Sequence, residues 1–178
     1  NDFLVASGSG AFIKKTLAEA QALIEGSTNL ADAISKKHTQ DTDTQIVVTA
    51  SPGSDHQATG VIVTLVAGEA VAFGNLCYMK SDEKMWKAKA DASTTLPGIA
   101  MALASIDADA SGLFLLLGIA RDDSWAWTVG GMIYASETPG AMTQTPPSTA
   151  GAFVQPIGIA THADRMLFKP DLSMVQVK

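Results

Sequence analysis

The sequence predicts a mainly β protein, with a short N-terminal strand/helix stalk followed by a β-sandwich or barrel-like domain that carries an internal two-fold repeat. Three observations lead to this class. From Gly60 onward, short β-branched and apolar runs recur at regular spacing between clusters of Gly, Pro, Asp and Ser, which is the grammar of sandwiches and barrels. Helical periodicity is confined to the region before residue 38. The phrase Gly74-Asn75-Leu76-Cys77-Tyr78 resembles Gly130-Gly131-Met132-Ile133-Tyr134, and Pro97-Gly98-Ile99-Ala100 resembles Ile157-Gly158-Ile159-Ala160, so one Gly–strand–turn–strand unit occurs twice.

In chain order, two apolar stretches flank Ser7-Gly8-Ser9-Gly10 and predict a small hairpin. Thr16-Leu17-Ala18-Glu19 fits a capping box, a hydroxyl at the N-cap and a carboxylate three residues later, and opens a helix over 17–25 that Gly26 ends. Asn29 caps a second helix that runs to Lys37 or His38, whose positive charges suit the negative helix end. Both helices are about two turns long and marginal alone. Their stripe of Leu17, Leu23, Ile24, Leu30 and Ile34 therefore needs partners, from the same chain or from copies around a symmetry axis.

Strands are expected over 45–50, 61–66, 76–80, 85–90, 99–105, 113–121, 124–129, 132–136, 152–161 and 165–168. Ser51-Pro52-Gly53-Ser54-Asp55 reads as a linker, which divides the chain into an N-terminal arm (1–57) and a β-rich C-terminal domain (58–178). The run Gly112 to Ala120 is the best central strand, and at that length it is far short of the ~20 residues of a membrane helix.

Composition excludes several function classes. The chain has 178 residues, 18.5 kDa, with a net charge of −6 and a pI near 4.9, so it offers no basic footprint for nucleic acid and is repelled by anionic membranes. Charged residues make up only 17%, which suggests that other chains cover part of the surface. One cysteine, Cys77, excludes an internal disulfide framework and a multi-cysteine zinc site, and it reads as a small buried hydrophobe. No basic n-region precedes the first apolar residues, so no signal peptide is expected.

Motifs that carry chemistry are weak. His38, His56 and His162 lie in separate segments without metal-ligand spacing. Asp107-Ala108-Asp109-Ala110-Ser111-Gly112 starts like a calcium loop, but its twelfth position is Gly118 rather than a bidentate Glu, so it reads as a turn. Asp122 and Asp123 are adjacent carboxylates, which on a strand would point to opposite faces; a turn capped by Asp with an Arg121 pair fits better. Trp125 and Trp127 share a face if extended and form either a core or interface stripe or a platform for sugar rings. With Trp86, Asp122 and Asp123 they make a candidate ligand or receptor surface. No catalytic residues, no metal ligands and no cofactor are expected, and the chain is not expected to be an enzyme.

Several longer phrases resemble structural proteins of tailed bacteriophages. "FLVASGSGAFIKKTLAEAQALI" and "ADAISKKHTQDTDT" are similar to strand–turn–helix and linker segments there, and "ATGVIVTLVAGEAVAFGNLCYMKSDEKMWKAKADASTTLPGIAMAL", continued by "GLFLLLGIARDDSWAWTVGGMIYASETPGAMTQTPPS", is similar to a β module at the C-termini of tail and head fibres. The resemblance implies a virion structural protein, a homotrimer in contact with other virion proteins, assembled in the host cytoplasm, with host-surface glycan as a further partner. The same grammar resembles capsid decoration (cement) proteins that stabilise the head, and the aromatic residues leave an adhesin tip as a further alternative.

Overall fold

A computed structural model describes residues 2–6, 12–16, 18, 19, 22 and 48–178. The chain divides into two compact units, Asn1–Ile46 and Val47–Lys178. In the first, β1 (Asp2–Ala6) and β2 (Phe12–Thr16) pair as an antiparallel hairpin with Asp2 opposite Thr16. The capping box then forms. The Thr16 backbone N–H donates to Glu19 Oε2 at 2.9 Å, and the Glu19 N–H donates to Thr16 Oγ1 at 3.3 Å, which satisfies two donors at the start of the helical residues 18, 19 and 22. The stripe of Leu17, Leu23, Ile24, Leu30 and Ile34 and the whole second helix lie outside the described residues.

The second unit begins at Val47, upstream of the 57/58 division read from the linker. The linker is held by the β unit: Pro52 is buried, its carbonyl accepts from Arg121 at 3.1 Å, and Thr59 Oγ1 donates to the Thr49 carbonyl. Eleven strands follow, all antiparallel where they pair: β3 (Gln57–Val66), β4 (Leu76–Met79), β5 (Met85–Lys87), β6 (Ala100–Ala102), β7 (Ser111–Arg121), β8 (Met132–Ala135), β9 (Met142–Thr143), β10 (Phe153–Val154), β11 (Pro156–His162), β12 (Arg165–Phe168) and β13 (Val175–Gln176). Residues 48–50 form no strand, and neither do 124–129.

The main sheet runs β5-β4-β6-β7-β12-β11-β8-β9. This order carries the internal repeat. The two copies of the Gly–strand phrase become β4 and β8, the two Gly-Ile-Ala phrases become β6 and β11, and each pair sits at corresponding distances from the β7–β12 centre. The long β3 covers one edge of β7 from Val66↔Ser111 to Gln57↔Arg121. The other edge of β7 is shared, with β6 on Phe114 and Leu115 and β12 on residues 118–121. The ribbon bends where Gly60 faces Gly118. Their φ angles of 145° and 155° bring the backbones so close that a side chain on either would meet the opposing strand.

The two ends of the sheet meet. Gly140 N–H donates to Ala88 O, Ala90 N–H to Ser136 O and Phe153 N–H to Ala90 O, each at 2.8–2.9 Å, so the sheet curls into a partial barrel. Inside lies a core of Leu76, Met101, Leu115, Ile133, Ile157, Met166 and Phe168, all fully buried. A second cluster around Cys77, Met85, Ala100, Ala102 and Phe114 packs on the opposite face of β4, β6 and β7. Strand alternation explains the split: Leu76, Met101 and Leu115 point one way, and Cys77, Ala102 and Phe114 the other.

Candidate functional site

Residues 124–129 were expected as a strand bearing two tryptophans on one face; they lie in a loop, and the Asp-capped turn with an Arg121 pair expected before them forms. Asp122 Oδ1 accepts the Ser124 backbone N–H at 2.8 Å and its hydroxyl at 2.6 Å, and the Trp125 N–H donates to the Asp122 carbonyl. This Asx turn competes successfully with extension. Arg121 grips Asp123 with two nitrogens, at 2.6 and 3.2 Å, and the Asp123 N–H donates to Asp55. The tryptophans come together despite the lost strand. Their ring centroids are 5.6 Å apart at 50°, and Phe73 extends the row, 6.5 Å from Trp125.

A cleft of about 230 Å³ opens among three loops and is lined by Phe73, Gly74, Asn75, Trp125, Trp127 and the Gly140–Met142 segment. Gly74 has φ +81°, and the space where a side chain would stand is flanked by Trp125 and Asp122 Oδ2. Trp127 Nε1 is buried and meets no acceptor among the described residues. Asn75 uses its Oδ1 to accept the Ala72 N–H at 3.0 Å. His56, itself at φ 54°, stacks on Phe73 at 4.7 Å and places Nε2 3.6 Å from Asp122 Oδ2 and 3.7 Å from Asp55 Oδ2. One nitrogen and two carboxylate oxygens thus converge within 4.8 Å, a donor set that could hold a divalent cation. Of the expected surface residues, Asp122, Trp125 and Trp127 lie together, and Asp123 is occupied by Arg121. Trp86 is engaged by other neighbours: its Nε1 donates to both oxygens of Asp82, Lys80 lies 4.0 Å over its ring, and Gly68 lies under it. His56, Phe73 and Asn75 were not singled out as a group in the sequence, because they converge from separate segments and no spacing links them to Trp125.

The remaining motifs resolve into structural roles. Residues 107–110 make a turn closed by Ala110 N–H to Asp107 O, and Lys84 holds Asp109 at 2.6 Å. Cys77 is fully buried, which pushes its thiol up to about 12, with Glu69 adding to the effect. Asp55 is held below its ordinary 3.8 by the Asp123 N–H, and His56 and Arg121 reinforce this. At Asp164, burial pulls upward but is outweighed by the His162 hydrogen bond and the charges of Arg165 and Arg121, so its carboxyl also lies low. Carboxyls depressed in the fold stabilise it fully above the unfolded value near 3.9 and lose that contribution as pH falls through their folded values. The melting temperature should therefore be flat from neutrality to about pH 4.5 and fall below about pH 4. Asp55→Asn should blunt this acid-side fall in a calorimetric pH series.

A second surface stands out on the outer side of β8, β11 and β12. Met132, Ile159 and Leu167 are successive cross-strand partners in one row. With Pro156, Lys169 and Leu172 they line an apolar groove of about 680 Å³. Met132 is 43% exposed and Leu172 67%. Among the described residues no helix is long and apolar enough to cross a membrane. Comparison of the chain with known protein families, curated proteins and solved structures finds no match.

Proposed function

We propose that this chain is a structural protein of a bacteriophage virion, a homotrimeric tail- or head-fibre module whose β unit packs against copies of itself and against other virion proteins. The observation that carries the reading is the apolar row Met132–Ile159–Leu167 with its groove. It lies on the outer face of a sheet whose inner face already buries Ile133, Met166 and Phe168. A side chain of this size contributes about 1.5–3 kcal/mol when taken out of water, so a row of three with its rim favours association. The open edge of β3 supports the same reading. Among the described residues this ten-residue strand pairs only with β7, which leaves a long edge with Ile62 exposed for a neighbouring chain to cover. The threefold stoichiometry and the virion setting come from the phrase resemblance. Leu167→Glu tests the surface. It should shift the full chain from trimer to monomer in sedimentation velocity. The melting temperature of the isolated unit should stay within about 2 °C, because an outward-facing substitution costs little. An unaltered trimer would remove this face from the interface.

A further inference from the structure

We infer that Asp55, His56 and Asp122 form a binding site for a divalent transition-metal ion of the zinc class, which fastens the segment before β3 to the loop after β7. All three residues belong to the Val47–Lys178 unit, so the site is complete within one chain and does not depend on the oligomeric state. Asp122 is only 7% exposed, and a carboxylate so far out of water needs a compensating cation. Among the described residues no lysine or arginine supplies it, since the adjacent Arg121 is spent on Asp123 and Asp164. Ser124 satisfies Oδ1 with two hydrogen bonds, while Oδ2 accepts none among the described residues. Oδ2 faces His56 Nε2 at 3.6 Å, beyond hydrogen-bond distance. A free oxygen of a buried side chain is thus aimed at the other two ligands.

Asp55 Oδ2 lies 3.7 Å from the same nitrogen, and all three donor atoms fall within 4.8 Å of one another. Ligands about 2.0–2.1 Å from a tetrahedral ion stand roughly 3.3 Å apart, so a small contraction closes the set. The supports of a metal site are in place. Asp55 Oδ1 accepts the Asp123 and His56 N–H groups at 2.8 and 3.0 Å, Asp122 Oδ1 holds Ser124, and the His56 ring is stacked on Phe73. Each carboxylate therefore keeps its second oxygen for an ion. The side chains of His56 and Asp55 are about half exposed, at 56% and 47%, which gives an ion its entry. The donor set selects the ion. One imidazole and two carboxylates suit Zn²⁺ or Co²⁺, whereas Ca²⁺ takes six to eight oxygens and Mg²⁺ keeps most of its waters. His162 and Asp164 form a similar pair, but Arg121 and Arg165 already neutralise Asp164, so that cluster has no need of a cation.

The three histidines make the test internally controlled. The untagged full chain, stripped with EDTA and dialysed, is titrated calorimetrically with zinc chloride and, separately, with calcium chloride. Zinc should bind at one ion per chain with a dissociation constant on the order of 10 μM, and calcium should not bind below about 1 mM. Zinc at about 100 times its dissociation constant should raise the melting temperature by about 5 °C or more. His56→Gln and Asp122→Asn should each weaken zinc binding about tenfold or more. Asp122→Asn keeps an oxygen for Ser124 and His56 is exposed, so both variants should melt within about 2 °C of the metal-free parent. His38→Gln and His162→Gln should bind zinc as the parent does. Four results would overturn the inference: no zinc binding by the parent up to about 1 mM, undiminished binding by His56→Gln and Asp122→Asn, loss of binding in His38→Gln or His162→Gln, or calcium binding as tight as zinc.

Discussion

Gly118→Val should unfold the Val47–Lys178 unit at temperatures where the parent is native. A side-chain carbon at Gly118 would stand 2.0 Å from the Thr59 carbonyl oxygen and 2.8 Å from Gly60 Cα, both backbone atoms of the paired strand. No rotamer relieves such a clash, because the offending atom is the β-carbon itself. The φ of +155° adds strain, and valine, branched at that carbon, is among the residues least suited to it. Strand β7 joins β3, β6 and β12, so separating it from β3 at this point disrupts the ribbon on which both halves of the sheet are built. The expected loss is about 4 kcal/mol or more, a melting temperature lower by roughly 10 °C or no cooperative transition at all. Gly151→Ala provides the comparison. It also has positive φ, at +89°, but nothing lies within 4 Å of the added carbon, and the cost should be only about 1 kcal/mol. Equal effects of the two substitutions in thermal melts would show that close backbone approach is not what Gly118 provides.

Gln155→Leu should be nearly as severe, for a different reason. Gln155 is fully buried and its amide serves three backbone groups. Oε1 accepts the Gly98 N–H at 2.8 Å, and Nε2 donates to the Gly98 carbonyl at 2.9 Å and to the Asp171 carbonyl at 2.7 Å. Gly98 belongs to the first repeat, Gln155 to the second and Asp171 to the C-terminal segment, so one side chain ties three parts of the fold. Leucine fills comparable space but leaves these groups unpaired, the N–H and C=O of the buried Gly98 foremost. Each buried orphan costs about 1–3 kcal/mol, which gives a loss of about 3 kcal/mol. Urea unfolding should show a lower midpoint with an unchanged slope. A midpoint within error of the parent would mean that water replaces the amide there.

How far such features are legible in the sequence depends on whether the cause is local. The apolar run in β7 and the strand at Leu76–Met79 are local patterns, and both strands form where expected, although β7 is not buried on both faces throughout, since Leu113 and Leu117 are exposed. The Thr16–Glu19 capping box also depends on neighbours three residues apart, and it forms as expected. The two-fold repeat was visible as two short phrases and emerges in the sheet order. The failures have identifiable competitors. Residues 124–129 alternate like a strand, but the Asp122 carboxylate captures Ser124 and turns the chain. Strands β9, β10 and β13 are two residues long, too short for periodicity to register. In β11 a register shift between Pro156 and Gly158 lets Ile157 point inward while Ile159 points out, so alternation alone misplaces one of them. The aromatic cleft was half legible. Trp125 and Trp127 are close in the chain, but Phe73 and His56 reach them only through the fold.

The central claim is that the chain assembles with copies of itself through the outer face of β8, β11 and β12. Multi-angle light scattering on the purified full chain, over a range of concentrations, tests it most directly. The account predicts a trimer of about 55 kDa, three times the chain mass of 18.5 kDa. A monomer of 18.5 kDa at every concentration would contradict it and favour a decoration domain that meets its neighbours only on a capsid lattice.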